Sequence, residues 1–188
     1  MAKKHGPWTI KATHRKFKNK LIELNEDEVV KPGGGEGAYA TVSMLHGVAV
    51  LAVGDDGTAY FIKEFRYALG RENVEIVAGG VEAGEELIDA ARRELREELG
   101  IEAGEFVELG TVEYATSILK SPSTLFLARG LRFTEKDEDE SEIIETVSMP
   151  LAEAVARSLS GDLVHAVTAL LVLRAHDHLR RRAGGPSL

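Results

Sequence analysis

Residues 79–101 read GGVEAGEELIDAARRELREELGI, a run opened by two glycines, with another at Gly84 and a last one at Gly100, and crowded with acidic side chains between them. Leu87, Ile88, Ala91, Leu95 and Leu99 recur at helical spacing and predict an amphipathic helix over roughly 85–99. Gly100 then stands where a helix favours glycine just past its last turn. On a helical wheel Asp89, Arg92 and Arg96 lie opposite the apolar arc. Glu94 and Glu98, four residues apart, stack one above the other at the edge of that arc, with Glu97 just beyond them. Like charges at this spacing destabilise a helix by about 0.2–0.5 kcal/mol, and by more beside an apolar core. Arg92, Arg93 and Arg96 could neutralise them, or a hard divalent cation could, since carboxylate oxygens suit magnesium, calcium or manganese. From spacing alone both readings stand. The adjoining glycines add that backbone can approach the carboxylates closely.

Upstream, NVEIVAGG (73–80) reads as a short strand running into the glycines. AYATVSMLHGVAVLAVGDDGTAYFIKEFRY (38–67) reads as consecutive strands, His46 among them, with DDG marking a hairpin. Pro32 and Gly33–Gly35 mark an earlier turn. Downstream come strand-like segments near 104–116, 123–130 and 143–148, then a helix after Met149-Pro150. DLVHAVTALLVLRAHDHLRR (162–181) reads as a long helix with Val164, Val167, Leu171 and Ala175 along one side. Short strands interleaved with few helices predict a mixed sheet with helices packed on its faces. No GxGxxG follows the first strand and no GxxxxGK[ST] occurs, which argues against dinucleotide and P-loop folds.

The chain has 188 residues, 44% of them hydrophobic and 29% charged, a composition expected of one globular core. It has no cysteine, which excludes disulfides, thiolate catalysis and finger-type zinc sites. A formal charge of −8 argues against nucleic acid as a partner. With no long apolar run and no apolar core behind the N-terminal lysines, neither a membrane span nor a signal peptide is expected, and the cytoplasm is the expected compartment.

Gly79, Glu85, Arg93-Glu94-Leu95, Glu97-Glu98 and Gly100-Ile101 stand at the spacing G, five, E, seven, R-E-apolar, one, E-E, one, G-apolar. With that pattern complete, the chain resembles the Nudix hydrolases. The resemblance implies an α/β fold, the α/β/α sandwich around a mixed sheet, and hydrolysis of a nucleoside diphosphate linked to a further group, with Mg2+ or Mn2+. It implies that Glu94, Glu97 and Glu98 hold metal and that Arg93 orients them. Glu85 then braces the loop before the helix, beside Gly79, and the Ala78 carbonyl is a further ligand.

The flanks IKEFRY (62–67), EIVAGGVEAGE (75–85) and TLFLARGL (124–131), and the segment before the main strands, resemble the ADP-ribose and nucleoside-diphosphate-sugar pyrophosphatases. That branch implies a homodimer formed through an N-terminal strand segment, here residues 1–41. A hydrolase domain over 42–182 and a frayed tail, 183–188, complete the expected organisation. It also implies Arg66 as a substrate residue and a catalytic base in the acidic run 134–142, with Glu142 preferred over Glu140. The branch carries a proline-containing SPG-type segment where this chain reads EYATSILKSPS (113–123), with Pro122 later and no glycine beside it. Lys120 is placed there to meet a phosphate. ADP-ribose, cut to AMP and ribose 5-phosphate, is the expected substrate, ahead of GDP-mannose, another nucleotide sugar or a dinucleotide. A triphosphate pyrophosphatase and a non-enzymatic nucleotide sensor are the remaining alternatives.

Overall fold

The computed structural model describes residues 2–136 and 143–185 and separates into two compact units. The first unit takes the chain up to His46 together with Val112–Pro122. Its sheet holds β1 (Lys3–His5), β2 (Trp8–Lys18), β3 (Ile22–Val30), β4 (Glu36–Met44) and the two-residue β10 (Leu119–Lys120), in that order. β1 to β4 form an antiparallel meander, the turn Lys31–Gly35 falling at the glycine run. β10 joins β4 in parallel, Leu119 opposite Val42 and Lys120 opposite Ser43.

The second unit, Gly47–Thr111 with Ser123–Leu188, carries the main core. Its strands are β5 (Gly47–Val53), β6 (Thr58–Arg66), β7 (Arg71–Glu75), β8 (Val77–Gly80), β9 (Ile101–Glu113), β11 (Pro122–Phe133) and β12 (Glu145–Pro150). The order β12-β6-β5-β11-β9 is a mixed sheet: β5 runs parallel to β11 and antiparallel to β6, while β7 pairs with β6 and β8 with β5. The expected DDG hairpin is present, with Gly54 N–H bonding Thr58 O and Gly57 N–H bonding Gly54 O.

The helices are α1 (Leu87–Leu99), α2 (Leu151–Ser160) and α3 (Ala166–Arg182). β5 is buried on both faces, as its near-continuous apolar run VAVLAV requires. Val48, Val50 and Ala52 share a core with Ala90, Ala91, Leu95 and Leu99 of α1. α3 also packs against β5 and buries Val167, Leu171, Val172 and Ala175. The result is the expected sheet covered by helices.

Three local expectations change. The helix begins at Leu87, leaving Glu85 in a turn, because Glu85 N–H bonds Glu82 O at 3.1 Å and Glu82 N–H bonds Glu85 Oε2 at 3.0 Å. The terminal helix begins at Ala166, because Asp162 and Leu163 N–H both bond Arg157 O to close α2; Val164 is exposed. His46 lies between β4 and β5 and belongs to neither strand.

Candidate active site

The run 73–80 is two strands with two partners. Residues up to Glu75 pair with β6, and residues from Val77 pair with β5, so Ile76 stands at the change of partner. Its N–H finds no ladder acceptor there and bonds instead to Oγ1 of the fully buried Thr168 in α3, at 3.1 Å. This fixes the backbone two residues ahead of Ala78. The β5–β8 ladder then sets Ala78 opposite Ala49 and Gly79 opposite Val48, with α1 packed against β8.

α1 lays its Glu94 carboxylate directly on the α-carbon of Gly79, where any Cβ would overlap it. A glycine at 79 is therefore what lets the Glu94 carboxylate lie here. At the other end Gly100 adopts φ +61° and its N–H bonds Arg96 O, the left-handed stop that its glycine makes easy.

Arg93 organises the carboxylates. Its Nε and Nη2 bond the two oxygens of Glu85 at 2.9 and 3.1 Å, a bidentate fork. Nη1 reaches Glu94 Oε1 at 2.8 Å and Glu97 Oε2 at 3.1 Å, and Nη2 also reaches the Gly80 carbonyl at 2.9 Å. The Glu85 carboxylate raises the Arg93 pKa further above its ordinary value, with Glu94 and Glu97 adding to the effect. In return, Arg93 and the Glu82 N–H hold Glu85 below the usual carboxylate range. Arg92 is not part of this fork: it pairs with Asp89 at 2.9 Å and lies over the Phe106 ring. Glu98 is buried beside the core.

Glu94, Glu97 and Glu98 thus occupy successive turns of one helix, with Glu94 against the backbone of Gly79. Among the described residues no three His, Asp or Glu side chains converge as a formed metal cluster would, since Arg93 draws Glu94 and Glu97 to itself. The donor set nevertheless suits a hard divalent cation. It offers only carboxylate and carbonyl oxygens, and Gly79 keeps clear the space where a side chain would displace Glu94.

Arg66, the last residue of β6, is held by two carboxylates: Nη2 bonds Glu75 Oε2 at 2.9 Å and Nη1 meets Glu64 Oε2 at 2.6 Å. Burial would lower its pKa, but Glu75 and Glu64 more than offset this, and the Glu98 carboxylate of α1 adds to the rise. Lys120 belongs to the first unit, where it lines a cavity of about 700 Å³ with Trp8 and Tyr39, whose rings meet edge to face at 5.5 Å. Glu140 and Glu142 lie outside the described residues.

Glu75, Thr168 and His165 were not singled out by their sequence context. Glu75 is buried yet charged, bonded by Arg66 and by Asn73 Nδ2 at 2.8 Å, with His165 Nδ1 at 3.4 Å. Burial alone would raise its pKa, but Arg66, Asn73 and His165 bring it below the usual range. His165 Nδ1 bonds Thr168 Oγ1 at 2.9 Å. Burial pushes it below histidine's ordinary value, against the pull of Glu75. A glutamate heading an otherwise apolar EIVAGG, and a threonine inside the apolar stripe of the last helix, were the available signals.

Residues 45–169 match the NUDIX domain. The chain is 32% identical over 159 residues to an ADP-ribose pyrophosphatase of Mycobacterium tuberculosis (strain ATCC 25618 / H37Rv), covering 83% of this chain and 77% of that one. It is 34% identical over 158 residues to an ADP-ribose pyrophosphatase of Bacillus subtilis (strain 168), covering 83% and 85%. A crystal structure of an ADP compounds hydrolase shares the fold with a TM-score of 0.82 at 22% identity, over 96% of this chain and 98% of that chain. With the glutamate helix, its arginine fork and its glycine contact all in place inside the matched domain, the chain belongs to the Nudix family of pyrophosphohydrolases.

Proposed function

We propose that the protein hydrolyses the pyrophosphate linkage of a nucleoside diphosphate sugar, with ADP-ribose as substrate and AMP and ribose 5-phosphate as products. The observation that carries this reading is the α1 carboxylate set: Glu94 laid against Gly79, Glu94 and Glu97 ordered by Arg93, and Glu98 buried one turn on. The names of its relatives point to the same substrate class.

Glu94, Glu97, Glu98 and the Ala78 carbonyl would hold Mg2+ or Mn2+. When bound, such an ion neutralises the pyrophosphate and lowers the pKa of an attacking water. Arg93 keeps the carboxylates from repelling one another, and Glu85 keeps Arg93 in place. Arg66 and Lys120 meet substrate phosphate or sugar. Glu142, with Glu140 as its alternative, accepts the proton of the attacking water as a new phosphorus–oxygen bond forms and the bridging bond breaks. The enzyme works as a homodimer through the strands of residues 1–41, in the cytoplasm, on a small molecule, without nucleic acid or membrane as partner. Its charge of −8 favours that choice, and among the described residues no helix is long and apolar enough to cross a membrane.

Product analysis tests the reading. With Mg2+ or Mn2+, ADP-ribose is expected to yield AMP and ribose 5-phosphate faster than GDP-mannose yields GMP and mannose 1-phosphate. Pyrophosphate released from a nucleoside triphosphate at a higher rate would overturn it. Glu98→Gln is expected to lower turnover by several orders of magnitude while the circular dichroism spectrum stays that of the parent. Wild-type turnover in that variant would remove Glu98 from the metal set.

A further inference from the structure

Arg66 and Glu75 belong to one face of the β6–β7 hairpin. The register sets Ile62 opposite Glu75, Glu64 opposite Asn73 and Arg66 opposite Arg71, so these alternate residues of both strands share a side. Arg66 stands at the turn end of that ladder, next to Tyr67, which is 94% exposed. A long side chain at such a place ordinarily samples many rotamers, and the like charge of Arg71 directly across the ladder repels it.

Glu75 is the opposite case. Its side chain is 7% exposed, and both of its oxygens are engaged, Oε1 by Asn73 at 2.8 Å and Oε2 by Arg66 at 2.9 Å. A carboxylate buried to this degree is costly unless it is paired, and its backbone is anchored because the next residue, Ile76, bonds Thr168. Glu75 is therefore the rigid member of the pair and Arg66 the one that is held. Glu64 takes a second guanidinium nitrogen, which fixes the plane of the fork as well as its position. The field of Glu98 reaching Arg66 places this fork within electrostatic range of the carboxylate helix.

We propose that Glu75 is a positioning residue for substrate binding: held by Asn73, it orients Arg66 so that the guanidinium is preorganised for the anionic substrate. This rests on the reading of Arg66 as a substrate residue. Preorganisation of this kind lowers the entropy lost on binding, so its removal weakens binding more than it slows the chemical step. Glu75 itself does not touch the substrate.

The test combines steady-state kinetics with a direct measure of Arg66 motion. Glu75→Gln keeps the shape and the Asn73 partner but removes the charge. It is expected to raise KM for ADP-ribose about tenfold, the scale of one charge-assisted hydrogen bond, while kcat changes less than about twofold. Glu75→Asp is expected to recover part of the loss. In an Arg66→Ala background, Glu75→Gln is expected to add nothing further to KM. Independently of turnover, the Arg66 Nε–H resonance in 15N-labelled protein is expected to be rigid in the parent and mobile in Glu75→Gln. An unchanged resonance in the folded variant overturns the proposal, as does a full Glu75→Gln effect on KM in the Arg66→Ala background. A mobile resonance with no KM change for Arg66→Ala would uphold the brace and refute the substrate role of Arg66, also overturning the proposal. If the parent cuts no nucleotide sugar at all, the functional reading fails, and the resonance alone decides whether Glu75 orients Arg66.

Discussion

An alanine at position 79 would set its methyl group on the Glu94 carboxylate. What it displaces is the far end of a flexible side chain, so the backbone need not move and the fold should tolerate the change. The position of the carboxylate is what would be lost, and with it the hydrogen bond from Arg93 Nη1 to Glu94 at 2.8 Å. Gly79→Ala is therefore expected to change unfolding free energy by less than about 1 kcal/mol. Activity with Mg2+ or Mn2+ is expected to fall at least about tenfold, since misplacing a reacting group by an ångström costs rate steeply. Urea unfolding beside initial rates checks both halves. A variant as active as the parent would show that the contact between Gly79 and Glu94 has no part in metal binding. The same position shows what spacing can and cannot convey. The glycines could be read as allowing close approach, but only the packed helix reveals that the approaching group is Glu94 itself.

At the scale of elements, α1 was legible because one chain segment carries all of its information. Its apolar stripe, Gly100 stop and carboxylate ladder are local, and Leu95 and Leu99 are buried where the wheel puts them. The run 73–80 was not legible as two strands, because exchanging β6 for β5 as partner is decided by residues far away in sequence. The group that stabilises the exchange, Thr168, lies 92 positions from the Ile76 N–H it accepts. Nothing near residue 76 announces it. Thr168→Val keeps the shape of the side chain, removes the acceptor and leaves a buried donor unsatisfied. It is expected to lower stability by about 1–3 kcal/mol. Hydrogen exchange should show the loss concentrated at Ile76 and the start of β8, so an unprotected Ile76 amide in the parent would contradict the assignment. Because the exchange point precedes Ala78 and Gly79 by only two and three residues, the same variant should also weaken metal binding. The acidic run presents the reverse situation: composition marks it, but Glu140 and Glu142 lie outside the described residues, and their role remains part of the functional proposal.

At the scale of the molecule the two units differ in how they are held together. The second buries a long list of apolar side chains from β5, β11, α1 and α3. In the first, Val29 is the one buried apolar side chain among the described residues, even with the rest of the chain present, while Phe17, Leu21, Met44, Leu45 and Ile118 are exposed. Its ion pairs, Lys11–Glu36, His14–Glu28, Lys16–Glu26 and Lys18–Glu23, join largely exposed partners. Pairs of that kind contribute about 0–1 kcal/mol each and weaken with salt. A meander of this size needs a covered face to be stable in water. In the homodimer proposed above, a second copy of the chain would supply such a cover through its N-terminal strands. Sedimentation equilibrium at micromolar concentration is expected to give twice the 20.4 kDa protomer mass, with little dependence on salt, because apolar burial rather than ion pairing would hold the interface. Leu21→Lys and Phe17→Lys, each adding charge to an exposed apolar position of the meander, are expected to shift the mass toward one protomer if that face is the interface. A parent protein that sediments as a single protomer would exclude the dimer and leave the exposed side chains of the first sheet to another partner.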